Sequence, residues 1–371
     1  MLGQVVVKLN RACNLRCNYC YYINENTPSL GMKMTEAVLH SFLDNYANYC
    51  EARSIRGTVS FHGGEPLLMG KEYFRRALEH CGFSRGHLRP SVQTNGILLD
   101  QQWAELLVTY GVSVGISLDG PPSVNDVLRV THNGKGSYDL VLRSIRLLQD
   151  MKKDFTVLCV VNPNASGRDV FEHFVDLGIR RLDFLPPISH HARQQTNPVD
   201  LAGVEEFLVD AFLAWVEYGD PEIYVRLFHE LITRYIHKTS GYSAIGMDRW
   251  ATFGVLETDG YFARLEELAD TEQVDGKKRY MTDSTLENST FDHVIEQLDF
   301  INAQIDWLQL PSSCKTCEMN DVCNGGNIAT RFDSGGSFNN PGIHCGSFFR
   351  LSAMVKQVVG HATSVCVSQS T

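Results

Sequence analysis

Through its first half the chain switches repeatedly between two hydrophobic periods, and this restricts its fold more than any other feature. Val5-Val6-Val7-Lys8-Leu9 is an apolar run of strand length, and Val38, Leu39, Phe42, Leu43 and Tyr46 then recur at helical spacing behind Thr35, a natural cap. Thr58-Val59-Ser60-Phe61 reads as the next strand, running into Gly63-Gly64, and Ser91-Val92-Gln93-Thr94 as the one after. Asp100 caps a helix with Trp103, Leu106, Leu107 and Tyr110 on one face, closed by Gly111. Residues 112–118 form a strand ending in Asp119-Gly120-Pro121-Pro122, and Ser137 caps a helix presenting Val141, Ile145 and Leu148. A strand over 155–161, a helix over 170–177 closed by Gly178, and a strand over 181–185 complete the series. Six strand–helix repeats in about 185 residues predict parallel βαβ units, short of the eight that close a full barrel. The expected fold is α/β: an open, partial (β/α)6 barrel over residues 1–200, with its chemistry at the C-terminal ends of the strands.

Beyond residue 200 the pattern changes. Residues 204–215 and 223–235 read as helices, a bridge over 201–240, and Glu257-Thr258-Asp259-Gly260-Tyr261 is a hairpin signal. Residues 241–371 form a further region whose last 60 residues are rich in Gly and Asn and carry clustered cysteines. The net charge of −10 argues against nucleic acid or an anionic membrane surface as the main partner. No stretch approaches the roughly 20 apolar residues of a membrane span, and no signal peptide opens the chain, so the expected compartment is the cytosol.

Eleven cysteines, an odd number without an export signal, point to metal or redox chemistry instead of disulfides. Cys13-Asn-Leu-Arg-Cys17-Asn-Tyr-Cys20 has the form CxxxCxxC. Three thiolates suit three irons of a cubane iron–sulfur cluster and leave the fourth iron open for a small molecule. A zinc knuckle or chance cysteines are the alternatives, although no fourth Cys or His lies in the next dozen residues. Cys50, Cys81, Cys159 and Cys366 read as ordinary thiols.

These residues resemble the radical S-adenosylmethionine (radical SAM) superfamily, whose motif places an aromatic just before the last Cys, here Tyr19. Gly63-Gly64-Glu65-Pro66 resembles the family's GGEP motif, in which a glycine pair admits close backbone approach and the carboxylate can accept from a ligand ammonium. Gln93 and Asn95 of Gln-Thr-Asn-Gly, Ser117 and Asp119 of Ser-Leu-Asp-Gly, and Arg129 match further stretches that line the SAM site in the family. The resemblance implies a 4Fe-4S cluster that binds SAM, whose reductive cleavage gives a 5′-deoxyadenosyl radical able to take hydrogen from an unactivated C–H bond. It also implies an electron donor such as a flavodoxin or ferredoxin.

Cys314-x2-Cys317-x5-Cys323 with Cys345 resembles the SPASM iron–sulfur extension of radical SAM enzymes that modify peptides. The common SPASM pattern has a further Cys where this chain has Asn327, and others near the hairpin, one at the place of Leu265; no Cys lies between Cys159 and Cys314. The resemblance therefore implies one auxiliary 4Fe-4S cluster, on Cys314, Cys317, Cys323 and Cys345; a four-cysteine zinc site is the alternative. Glu257-Thr-Asp-Gly260, Cys323-Asn-Gly-Gly, Arg331-Phe332, Phe338-Asn-Asn-Pro341 and the 184–191 stretch resemble the GrrM-, XyeB- and FxsB-like maturases of ribosomal peptides.

The implied function is crosslinking of an aromatic carbon to a Cβ (a cyclophane) in a precursor peptide. The first strand begins at residue 5, so a leader would be read by the chain's own surface or by a separate recognition protein. Glu266 and Glu267, just past the hairpin, are candidates for the proton acceptor, with an exposed acidic pair as the alternative. His62, His132, His190 and His191 read as loop or wall residues. The runner-up is two-electron oxidation of Ser, Cys or a small alcohol, as in the anaerobic sulfatase maturases. A non-enzymatic binding module fits the intact SAM motifs poorly.

Overall fold

The computed structural model describes residues 2–23, 27, 29–80, 83, 86–237, 245–246, 253–264, 267–268, 271, 281–304 and 309–368, with only the helical backbone at 302–304 and 361–368. They form two compact units: Met1–Leu118 with Asn125–Thr156 and Trp250–Ile305, and Asp119–Val124 with Val157–Arg249 and Asp306–Thr371. Among the described residues no helix is long and apolar enough to cross a membrane.

In the first unit β1 (Gln4–Lys8), β3 (Gly57–His62), β4 (Leu88–Thr94) and β5 (Ser113–Ser117) lie side by side and parallel. On the other side of β1 stands β10 (Phe253–Leu256), parallel to it, followed by antiparallel β11 (Tyr261–Ala263) and β12 (Met281–Thr285). Residues read as a hairpin therefore extend the sheet from β1, in a register that buries Val6, Val255 and Ala263 together. Thr35 and Asp100 cap their helices as expected, accepting from Val38 and Trp103 N–H. Ser137 does not: its Oγ donates to Arg129 O at 2.8 Å, and Asp126 accepts from the Ser137 and Tyr138 N–H groups instead. Phe61, Phe74 and Trp103 stack edge to face behind the strands, with centroids 5.3 and 5.1 Å apart.

A two-stranded ribbon escaped the sequence reading. β2 (Leu15–Cys17) lies inside the first cysteine motif and pairs antiparallel with β6 (Arg129–Thr131), Cys17 opposite Arg129.

The second unit carries β7 (Phe155–Val160), β8 (Arg181–Leu185) and the two-residue β9 (Tyr224–Val225), all parallel. The helix expected over 223–235 thus starts only at Arg226, because Tyr224 and Val225 are taken up by pairing with Arg181 and Leu182. The C-terminal region is also more helical than its Gly and Asn content suggested. Helix Cys345–Ser368 buries Phe348, Leu351 and Val355, an i, i+3, i+7 stripe, and packs against helix Leu201–Tyr218.

Candidate active site

The first site is assembled from strand ends of the first unit. After β1 the chain turns through Asn10–Ala12 into Cys13, and after β3 it turns through Gly63-Gly64-Glu65. These two loops are laced together: Gly64 N–H donates to Asn10 O (2.9 Å), Glu65 N–H to Ala12 O (2.7 Å), and the Asn10 side-chain Nδ2 to Glu65 O (2.8 Å). A Cβ on Gly64 would lie 2.0 Å from Ala12 O, so only glycine lets the loops approach this closely. Gly63, at φ +133, makes the turn itself.

Glu65 is buried and heavily engaged. One carboxylate oxygen accepts from Leu67 N–H (2.9 Å) and Thr94 Oγ1 (2.7 Å), the other from Asn95 N–H (2.8 Å). Burial pushes its carboxyl above the usual range, while these donors and the Arg129 charge pull it back. One accepting position remains on the second oxygen, enough for one ligand N–H.

The side-chain amide of Asn95 donates to Asn14 Oδ1 at 2.7 Å and lies 3.7 Å from the Cys13 sulfur. Gln93 donates to Ser117 Oγ at 3.0 Å, and Arg129 to Tyr19 Oη at 2.6 Å. Asn18 N–H and Nδ2 bond to Leu128 O and Val127 O, and His132 Nε2 to Cys13 O (2.9 Å), so the ribbon fastens the cysteine loop along its length. Pro66 opens a short 3-10 turn. Asp119 belongs to the second unit, where it is buried and accepts from Val160 N–H at 3.0 Å.

Burial pushes the Cys13 thiol up to about 12, helped by the charges of Glu65, Cys17 and Cys20 and opposed by the Leu15 N–H. A buried thiol raised by neighbouring thiolates needs a cationic partner before it can ionise alongside them.

In the second unit, Cys314 lies in the short helix Ser312–Lys315, Cys323 ends Asn320–Cys323, and Cys345 opens the long helix at its positive end. Burial pushes Cys323 up to about 11, and the charges of Cys345, Cys314 and Cys317 add to it. Asn327, where the SPASM pattern has a cysteine, is a buried cap accepting from Ala329 N–H at 2.9 Å. Among the described residues no three His, Cys, Asp or Glu converge as ligands of a single ion. A cubane asks for a wider arrangement, because each thiolate takes a different iron.

A family model for the radical SAM superfamily matches residues 7–177. The serine-type anaerobic sulfatase-maturating enzyme of Klebsiella aerogenes is 30% identical over 322 residues, covering 85% of this chain and 76% of that one. The chain belongs to the radical SAM superfamily. Within it, the chain is related to the anaerobic sulfatase-maturating enzymes, including the cysteine-type enzyme of Clostridium perfringens (strain 13 / Type A), 27% identical over 340 residues and 88% of each chain. The solved structure of native anSMEcpe with bound AdoMet has the same radical SAM fold, with a TM-score of 0.83 at 24% identity over 98% of this chain and 99% of that one. The same enzyme with AdoMet and a Kp18Cys peptide gives 0.81 at 24% identity, over 96% and 99%.

Radical SAM enzymes carry a 4Fe-4S cluster and bind S-adenosylmethionine. The residues of the first site fit both: the Cys17 and Cys20 charges act on the Cys13 thiol, and a glycine cradle and a carboxylate with one free accepting position stand beside it. Of the proposed proton acceptors, Glu267 is half-buried past β11, and Glu266, like Leu265 and Cys81, lies outside the described residues. The histidines serve the backbone: His62 Nδ1 accepts from Gly63 N–H (2.8 Å), His190 caps Arg193 N–H (3.2 Å), and His191 bonds Pro341 O (2.8 Å).

The sequence reading missed a buried charged network at the ends of β1 and β10. Tyr22 donates to Glu257 (3.1 Å), Arg11 pairs with Asp259 (3.0 Å) and Glu257 (3.5 Å), and the Lys8 ammonium lies 4.3 Å from the Tyr22 ring centroid. The signal was present: Lys8 interrupts an apolar strand, and a buried lysine needs a partner.

Proposed function

We propose that this chain is a peptide maturase that joins an aromatic ring carbon to a Cβ within a ribosomally made precursor. The bound cluster and SAM supply the 5′-deoxyadenosyl radical that takes a hydrogen atom from the substrate. Cys13, Cys17 and Cys20 hold that cluster, and Tyr19, Gly63, Gly64, Glu65, Pro66, Gln93, Asn95, Ser117, Asp119 and Arg129 hold SAM. Cys314, Cys317, Cys323 and Cys345 hold one auxiliary cluster. The observation that carries the crosslink over simple oxidation is Asn327: a buried cap stands where a further cluster cysteine would be, leaving this group the ligands of a single cluster.

Closing the ring removes two hydrogens from the peptide, one as an atom to the radical, the other as a proton and an electron. Glu266 or Glu267 would take the proton, and Cys314, Cys317, Cys323 and Cys345 would hold a cluster able to supply an acceptor for the electron. The network of Tyr22, Glu257, Arg11 and Asp259 ties together the ends of β1 and β10.

A second reading, two-electron oxidation of a Ser or Cys side chain, is supported by the relationship to the serine-type and cysteine-type maturases. It has the same balance without a new C–C bond. The test is anaerobic co-expression with short open reading frames beside the gene, followed by mass spectrometry of the peptide. Loss of two hydrogens with fragments missing across a short aromatic-containing segment supports the crosslink. The same loss with intact fragmentation and a hydrazine-reactive carbonyl supports oxidation, and an unchanged peptide with 5′-deoxyadenosine released rejects the peptide tested.

A further inference from the structure

Arginine is rarely buried, and Arg331 is 2% exposed. Its Nε donates to Gly325 O at 3.1 Å and its Nη2 to Asn324 O at 3.0 Å, the two carbonyls that follow Cys323. Asn324, Gly325 and Gly326 are all left-handed, with φ of 44, 80 and 77, which turns those carbonyls toward the guanidinium. The same bend brings Gly325 N–H to the Cys323 sulfur. A Cβ on Gly325 would lie 2.4 Å from Arg331 Nη2, so the glycine makes room for the cation. On the far side Asn340 Nδ2 holds Arg331 O at 3.2 Å.

Carbonyl dipoles stabilise a buried guanidinium without cancelling its charge. Among the charges that act on it are the sulfurs of Cys314 and Cys323. A four-thiolate 4Fe-4S cluster carries a net charge of about −2 when oxidised and about −3 when reduced, and cluster potentials follow local charge and hydrogen bonds to sulfur. A fixed cation beside it favours the reduced form. We infer that Arg331 is a positioning residue for electron transfer: it raises the reduction potential of the auxiliary cluster, suiting that cluster to accept an electron. This rests on the proposed cluster at Cys314, Cys317, Cys323 and Cys345. It does not depend on which peptide is modified.

The experiment uses the full chain with Cys13→Ala, Cys17→Ala and Cys20→Ala, so that only the second group loads, reconstituted anaerobically with iron and sulfide. An EPR-monitored redox titration compares Arg331, Arg331→Lys, Arg331→Gln and Arg331→Met. Gln keeps a donor for the Asn324 and Gly325 carbonyls without the charge, so it remains informative if Met fails to load. At the Arg331 midpoint the ratio of reduced to oxidised cluster should fall about tenfold in the neutral variants, 59 mV for one electron. Lys should stay within threefold. A neutral variant that loads fully and titrates at the unchanged potential would make Arg331 a brace for the loop and overturn the inference. Zinc instead of iron in the Arg331 protein would overturn it together with the cluster assignment, whereas failure of the peptide assay alone would leave the potentials standing.

Discussion

Replacing Gly64 with alanine tests the central geometric claim, that the cysteine loop is held by backbone packing against the GGEP loop. The new methyl would lie 2.0 Å from Ala12 O and 2.5 Å from Ala12 C, backbone atoms that no side-chain rotation can clear. The loops must separate, at the expense of the bonds from Gly64 N–H to Asn10 O and from Glu65 N–H to Ala12 O. Two backbone hydrogen bonds at about 1 kcal/mol each, with about 1–3 kcal/mol for overpacking, give a loss of roughly 3–5 kcal/mol. That is a large part of a typical stability of about 5–15 kcal/mol, and it falls on the segment leading into Cys13. The variant should therefore lose the first cluster selectively, with SAM affinity weakened about 100-fold or more, roughly 3 kcal/mol. Iron and sulfide analysis after reconstitution, SAM calorimetry and a thermal melt read the three effects. Gly31→Ala is the control: φ is +87 and no atom lies within 4 Å, so it should cost about 1 kcal/mol of backbone strain and keep cluster and SAM. Full iron loading and unchanged SAM affinity in Gly64→Ala would refute the packing claim.

Tyr19→Phe removes the 2.6 Å bond from Arg129, a charged hydrogen bond of about 1.5–3 kcal/mol, and SAM affinity by calorimetry should weaken about tenfold or more. Asn327→Cys deletes the cap on Ala329 N–H, so the melt should show a loss of about 1 kcal/mol while iron per chain stays unchanged. Burial and the neighbouring His80 hold the His40 imidazole below its usual range, so its contribution to stability is present above pH 6.5 and is lost as pH falls toward the lower folded value. The melting midpoint of the apo protein should fall between pH 7 and 5.5, and fall less in His40→Gln.

The barrel was legible because its strands are short apolar runs and its helices carry local caps; β1, β3, β4, β5, β7 and β8 all stand where the periods place them. β2 and β6 were not legible: each has three residues, Leu-Arg-Cys and Arg-Val-Thr, with one apolar residue apiece, and their pairing spans more than a hundred positions. The placement of β10 beside β1 was hidden for the same reason, since a hairpin signal fixes a turn and says nothing of the strand on its other side. At the site, motif residues were readable but their tasks were not. Glu65 was read for its charge, whereas most of its accepting positions go to Leu67, Thr94 and Asn95, and Arg331 was noted in a pattern without any sign that it is buried.

The two cysteine groups stand in opposite fields. On Cys13 acts a buried carboxylate, Glu65, itself partly offset by Arg129. Cys314 and Cys323 instead act on a buried guanidinium, Arg331. Negative charge makes an added electron costlier and positive charge makes it cheaper, so clusters in these places differ in potential even with the same iron and sulfide. The direction suits the proposed chemistry: the first cluster must be strongly reducing to cleave a sulfonium, and the auxiliary one must accept an electron from a substrate radical. Neither field follows from the cysteine spacing. Each depends on a long side chain buried within its own unit, and removing those charges, with Glu65→Gln and Arg331→Gln, should narrow the gap between the two potentials from both ends.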